Sequence, residues 1–309
     1  MSSLLNIFGQ TPLSRRKAYW GIALILPNTL GLFFFFGLPV LVAFGTSFNE
    51  WNAIKPATFI GLDNFETLLQ DDMFWKALGN TAKLAAFSIP VEVLLALAVA
   101  LLLNQRIPGR NFFRMAYFLP VVTSVVASSV VWTLVFQTRF GLLGALIPPV
   151  RDWKWLTQPS LVLIPIAVVT IWLRLGFDMV LFLSGLQAIP RVLYEAATID
   201  GANRWQRLRH VTLPLLSPTT FLVITLSVIN AFQIFDQVYI MTSRTVLGGV
   251  QGSAMTLPLY LYTQAFDKSR FGYASAVALA LFLIILLLTV FQLWMQRWWV
   301  YYEAEEQSA

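Results

Sequence analysis

Five ionisable residues stand within or at the edge of long apolar runs: Glu92, Arg174, Asp178, Asp236 and Lys83, the last close enough to an edge to snorkel. A charge inside a membrane is costly, so such groups face a protein interior or a water-filled cavity. Arg174 and Asp178 are four apart, on one helical face, and can pair. The pair has two readings, an internal ion pair that fixes helix packing or a contact with a moving solute. Glu92, close to Pro90, reads most simply as a buried hydrogen-bonded group. As a proton pathway, Glu92, Arg174 and Asp178 would instead serve an ion-coupled secondary transporter, the alternative kept open at this point. Asn230, Gln233 and Asp236 recur at three-residue intervals among Phe232, Phe235 and Tyr239. Amides and carboxylates hydrogen-bond hydroxyls while ring faces cover C–H surface, which is what a sugar-like solute requires. Hydrogen bonding between helices is the competing structural use of the same stripe.

Other chemistries find little to work with. The chain has no cysteine, which excludes disulfides, thiolate catalysis and cysteine-ligated metal. Its one histidine is His210, so neither a histidine metal cluster nor a Ser/His pair is expected. No GxxxxGK[ST] loop occurs, and the chain is not expected to bind ATP itself. A membrane-embedded enzyme therefore ranks last.

The elements that position these groups follow from composition. Hydrophobic residues make up 58% of the 309 residues and charged residues only 12%, with a mean hydropathy of +0.70. That is too little polar surface for a soluble globule of this size, and an integral membrane protein is expected. Six apolar stretches are long enough to cross a bilayer: Ile22 to Phe48, Thr81 to Leu103, Met115 to Phe136, Leu161 to Gly185, Thr219 to Met241 and Tyr273 to Met295. The first is too long for a signal-peptide core and reads as an uncleaved span.

Six spans place both termini on one side, and basic residues choose it. Arg15, Arg16 and Lys17 precede the first span, Arg106, Arg110 and Arg114 fill the second connection, and Arg191, Arg204, Arg207 and Arg209 lie in the fourth. Arg297 follows the last span. These segments are expected in the cytoplasm, and the net charge of +6 is topogenic rather than a sign of nucleic acid. The first intervening loop carries Glu50, Asp63, Glu66, Asp71 and Asp72 against Lys55 and Lys76 and reads as external. The other outer loops hold Arg139, Arg151, Lys154, Arg244, Lys268 and Arg270, so the asymmetry is a bias. Tyr19, Trp20, Trp51, Trp153, Trp155, Trp298, Trp299, Tyr301 and Tyr302 mark the expected membrane edges. Pro27, Pro39, Pro90, Pro120 and Pro165 predict kinks, and Ala96 with Ala100 and Ala276 with Ala280 predict close packing.

The fourth connection, Glu195 to Pro214, is a polar interruption in this apolar chain. Val192, Ala196 and Ile199 share one helical face, Trp205, Leu208 and Val211 another, and Gly201 stands at the break. A helix, a glycine corner and a second helix make a docking shape. The segment closely resembles the EAA motif of permease subunits in bacterial ABC importers. That signature runs EAA, three residues, Gly, nine residues, Ile, one residue, Leu-Pro, and is matched by Glu195, Ala196, Ala197, Gly201, Val211, Leu213 and Pro214, with Val in place of Ile. FIGLDNFETLL at Phe59 to Leu69, GRNFFRMAYFLP at Gly109 to Pro120, NAFQIFDQVYIMT at Asn230 to Thr242 and GYASA at Gly272 to Ala276 also resemble the maltose and glycerol-3-phosphate type, specifically the first of its two permeases. One departure is the SRTVLGGVQGS segment, which replaces a shorter Gly-Gly-Pro and implies a differently shaped external loop.

The resemblance implies an all-α, six-helix permease of the bacterial inner membrane with cytoplasmic termini. Its parts are a cytoplasmic segment 1–18, a transmembrane domain 19–296 containing the EAA loop 190–214, and a cytoplasmic tail 297–309. Glu195, Ala196, Ala197, Asp200 and Gly201 would couple to the ATPase. Glu195 would make polar contacts, the alanines would allow close approach and Gly201 would permit the turn. Implied partners are a second homologous permease, two ATP-binding cassette subunits that use ATP and Mg, an extracytoplasmic solute-binding protein and membrane lipid. Asn230, Gln233, Asp236, Arg174 and Asp178 are the candidate solute pathway. No cofactor is expected on this chain.

Overall fold

The computed structural model describes residues 12–105, 107–138 and 140–301, with side chains from residue 16 onward. Arg106, Arg139, Tyr302, the acidic tail and the side chain of Arg15 lie outside the described residues. Four continuous helices are long and apolar enough to cross a membrane: α1 (Arg16–Thr46), α3 (Asp72–Leu103), α7 (Leu163–Ala188) and α13 (Phe271–Trp299). Two bent pairs bring the number to six if each pair is one span. They are α4 (Arg110–Val122) with α5 (Val125–Val135), and α9 (Arg204–Leu215) with α10 (Ser217–Phe232). Shorter helices complete the set: α2 (Asp63–Gln70), α6 (Leu142–Leu146), α8 (Arg191–Ile199), α11 (Asp236–Ser243) and α12 (Leu257–Tyr262). Among the described residues the only sheet is a hairpin of β1 (Asn49–Glu50) and β2 (Thr58–Phe59).

Four of the expected spans are continuous helices and the other two are broken, more sharply than proline kinks alone suggest. Pro39 cannot donate to the carbonyl four residues back, and just before it α1 widens into a π turn over Phe33–Gly37. At α4/α5 the chain bends by 100°. Thr123 is extended there, its hydroxyl donates to the Pro120 carbonyl at 2.7 Å, and Ser124 caps α5. The fifth predicted span, Thr219 to Met241, is not one helix. It divides into α10 and α11 at Gln233–Phe235, so the expected polar stripe does not run along a continuous helical face.

α3 and α7 form the spine of the fold. Ala96 and Ala100 are fully buried against a cluster containing Met179, Phe182 and Leu183, as their small size predicts. Gly176 lets α7 come close to the α4 backbone, since a Cβ there would run into the Tyr117 carbonyl. That approach sets Pro120 and Thr123 beside Thr170 and Arg174 and so builds one wall of the cavity described below. By contrast, α1 buries none of its apolar window within this chain, and only its C-terminal end packs against α13, which leaves most of its surface for lipid or another subunit.

Candidate functional site

The buried charges come together across three helices. Arg174 on α7 donates from Nε to Glu92 Oε1 on α3 at 3.1 Å and from its terminal nitrogen to Asp178 Oδ1 at 3.2 Å. Ser227 on α10 donates to the same Glu92 oxygen at 3.0 Å. Glu92 and Asp178 are buried, whereas the Arg174 side chain keeps 19% of its surface exposed. Asp178 Oδ2 has no hydrogen-bond partner. Ser227 was not singled out in the sequence, although it stands three residues before Asn230 and extends the same polar periodicity.

The exposed part of Arg174 faces a cavity of about 450 Å³. Asn230, Gln233 and Asp236 line it, together with Phe177, Phe235, Thr123, Thr170 and Gln237. The break between α10 and α11 is what lets all three stripe residues reach one space. Three-residue steps on a continuous helix drift around its axis, and the non-helical Gln233–Phe235 segment re-aims the chain. Asn230 also donates to the Leu226 carbonyl at 2.8 Å, which orients its amide. Phe235 stacks on Tyr239 at 5.5 Å and meets Tyr262 at 5.2 Å, giving the neighbouring wall an aromatic backing. Asp178 lies off this cavity, behind Arg174. Thr123 and Gln237 were also unpredicted, because only the bend at Pro120 and the α10/α11 break bring them here.

The fourth connection folds as a helix, a corner and a second helix. Gly201 has φ +77°, the left-handed region that favours glycine. The Ala202 N–H donates to the Ala197 carbonyl at 2.9 Å and the Gly201 N–H to the Thr198 carbonyl at 3.1 Å, a Schellman closure of α8. Asn203 and Gln206 then form a capping box that starts α9. Glu195, Ala196, Asp200 and Gly201 are exposed and Ala197 is half-buried. Of the predicted apolar faces, Val192, Ile199 and Trp205 stand out at 64%, 86% and 66% exposure, while Leu208 and Val211 are half-buried. Two shallow grooves run between α8 and α9, both reaching Ala197, Asp200, His210 and Val211.

At the opposite end of α3 the structure shows anchors that the sequence did not announce. Asp71 caps α3 through the Met73 and Phe74 amides and accepts from the hydroxyls of Tyr260 and Tyr273, the latter at 2.6 Å. Burial pushes its pKa up, but these hydrogen bonds outweigh it and hold the carboxyl below the usual value. Asn80 donates to the Gly252 and Met255 carbonyls at 2.9 and 3.0 Å, and Lys76 to the Gln251 carbonyl at 2.6 Å. The departing segment SRTVLGGVQGS is thus tied down on α3, with Gly248, Gly249 and Gly252 all at positive φ. Among the described residues no group of three or more His, Cys, Asp or Glu is placed to hold a metal ion.

Comparison with known proteins agrees with this architecture. The chain is 32% identical over 293 residues to the probable starch degradation products transport system permease protein AmyD of Thermoanaerobacterium thermosulfurigenes, covering 91% of this chain and 95% of that one. It is 34% identical over 278 residues to the multiple sugar-binding transport system permease protein MsmF of Streptococcus mutans, covering 89% and 94%. Its fold matches a chain of a bacterial alginate ABC transporter in complex with an alginate pentasaccharide-bound periplasmic protein. There the TM-score is 0.79 at 23% identity, over 91% of this chain and 95% of that chain. Residues 84–301 match the family described as binding-protein-dependent transport system inner membrane component. This chain belongs to that family, and is a multi-pass inner-membrane component of an ABC transport system rather than an enzyme.

Proposed function

We propose that this chain is one of two related permeases in an ATP-driven importer and that it moves a sugar or sugar-like solute through the cavity lined by Asn230, Gln233, Asp236 and Arg174. The observation that carries the reading is the convergence of three amides, a carboxylate and a guanidinium with Phe177 and Phe235 around about 450 Å³. Amide and carboxylate groups exchange hydrogen bonds with hydroxyls while rings cover C–H faces. The saccharide-linked names of the relatives support the same class of solute. Saccharides, polyols, glycosidic osmolytes and glycerol phosphate derivatives all fit that description. Arg174 is already engaged by two carboxylates, so a phosphate has no privileged claim on it.

The partners are a second homologous permease, two ATPase subunits using ATP and Mg, and an extracytoplasmic binding protein that delivers the solute. The EAA loop, with both termini, lies on the cytoplasmic side, where basic residues concentrate. Glu195, Ala196, Ala197, Asp200 and Gly201 seat the loop on an ATPase subunit. A short helix held by a Schellman corner between membrane helices passes on a rigid-body motion. Closure of the ATPase pair then turns the cavity outward, and hydrolysis resets it. Family membership gives the ion-coupled alternative no support, and Arg174 is held by both Glu92 and Asp178.

The test is uptake by vesicles carrying the complete assembly, either with a hydrolysis-dead ATPase or after collapse of the proton gradient. Uptake should stop in the first case and persist in the second. The reverse pattern would overturn the reading.

A further inference from the structure

Tyr301 follows directly on the last membrane helix and is tied to the segment after the coupling loop. α13 ends at Trp299, Val300 is extended, and the Tyr301 N–H donates to Ser217 Oγ at 2.8 Å. Ser217 Oγ in turn donates to the Pro214 carbonyl at 2.6 Å, so the tie lands on the 64° bend between α9 and α10. Trp299 adds an edge-on contact with Phe221 at 6.2 Å. The end of the last span is thereby fastened to the point where the coupling loop re-enters the membrane. Tyr301 also forms one wall of a groove of about 410 Å³ shared with Ala196, Ala197, Asp200 and Pro214. The fastening uses the Tyr301 backbone, yet the residue remains 54% exposed at the groove.

We propose that Tyr301 is a further coupling residue: its backbone makes the end of α13 move with the α8–α9 loop, and its side chain joins Ala196 and Ala197 in receiving the ATPase subunit. This rests on the coupling reading above. The partner chemistry follows from the groove, which has apolar walls from Leu193, Pro214 and Leu215 and polar groups at Asp200 and His210. It fits an apolar side chain of the ATPase flanked by a hydrogen-bonding one. Val192 and Ile199, both exposed, stand on the same helix and share the helical face of Ala196, which lines the groove.

The experiment uses the complete transporter in vesicles and measures ATPase retention, ATP hydrolysis and solute moved per ATP. Tyr301→Ala should retain the ATPase but lower solute moved per ATP by about tenfold, within the usual range of coupling free energies. Tyr301→Phe should stay close to the parent. Tyr301→Ala with parental solute per ATP overturns the proposal. Glu195→Lys is run alongside: if it too leaves uptake unchanged, the coupling-loop reading itself has failed, whereas silence of Tyr301→Ala alone sinks only this inference. Should Tyr301→Ala fail to accumulate, Tyr301→Cys is a second probe, since it gives this subunit a single cysteine whose labelling is read on the separated subunit. Its maleimide labelling should be largely lost when the ATPase is bound, because the groove is then covered. Equal labelling with and without the ATPase overturns the proposal.

Discussion

Arg174 reaches across from α7 to Glu92 on α3, 82 positions earlier in the chain, with Nε at 3.1 Å from the carboxylate, while its other end holds Asp178 on its own helix. One cation thus serves two buried carboxylates and still faces the cavity. Removing it strands both acids in the interior, and breaking a buried ion pair costs about 3–5 kcal/mol. Arg174→Met should therefore lower the thermal midpoint of the detergent-solubilised protein sharply, with poor assembly. Glu92→Gln keeps a hydrogen-bond acceptor for Ser227 and for Arg174 and should cost much less. Equal thermal midpoints for Arg174→Met and the parent would show that the cluster contributes nothing to stability.

The cavity residues should behave oppositely. Asn230 and Asp236 are exposed in the cavity, so Asn230→Leu and Asp236→Leu are expected to leave the thermal midpoint near that of the parent. Each loses hydrogen bonding to solute worth about 1 kcal/mol, or roughly a fivefold rise in the concentration needed for half-maximal uptake. Uptake curves measured at equal protein level decide this. Unchanged curves for both variants would make these residues structural only.

Gly201 has an identifiable backbone duty. Its φ of +77° is closed to proline, and its N–H is engaged by the Thr198 carbonyl. Gly201→Pro should disrupt the corner and uncouple ATP hydrolysis from uptake while membrane insertion persists. Gly201→Ala should cost about 1–2 kcal/mol of local strain and give an intermediate loss. Solute-dependent ATP hydrolysis in vesicles reads both, and parental coupling in Gly201→Pro would count heavily against the loop's role.

Asp71 predicts a pH dependence whose sign follows from its lowered pKa. A carboxyl that titrates lower when folded than its unfolded value of about 3.9 stabilises fully above that value. The contribution is lost as pH falls through the lower folded value. Asp71→Asn removes a charged acceptor of two tyrosine hydroxyls and should cost about 2 kcal/mol at neutral pH. Thermal midpoints of parent and variant should differ by a constant amount from pH 8 to about 5 and converge only in stronger acid. Convergence already near neutrality would contradict the assigned direction.

Much of the molecule was legible before folding, because lipid imposes simple rules on sequence. A span must be long and apolar, so the four continuous spans could be read directly, whereas the breaks in the other two could not. A glycine between two runs of helical apolar periodicity is a local signal, and the Gly201 corner with its helices was visible for that reason. Ala96 and Ala100 could be read as packing positions because close helix approach demands small side chains.

What only the tertiary structure decided is which distant residues share a space. Glu92 and Ser227 meet Arg174 because α3 and α10 both pack on α7, and no periodicity within one helix encodes that. Asn64 of the FIGLDNFETLL run holds the Ser47 and Asn49 carbonyls, and Gly272 of GYASA leaves room for that same Asn49 carbonyl. Two segments more than 200 residues apart are thereby explained by one contact. Asn230, Gln233 and Asp236 were recognisable as polar residues in an apolar run, but the break at Gln233–Phe235 gave them a common cavity. Local chemistry is written in spacing along the chain, whereas a site assembled from several helices depends on packing, which lives in three dimensions.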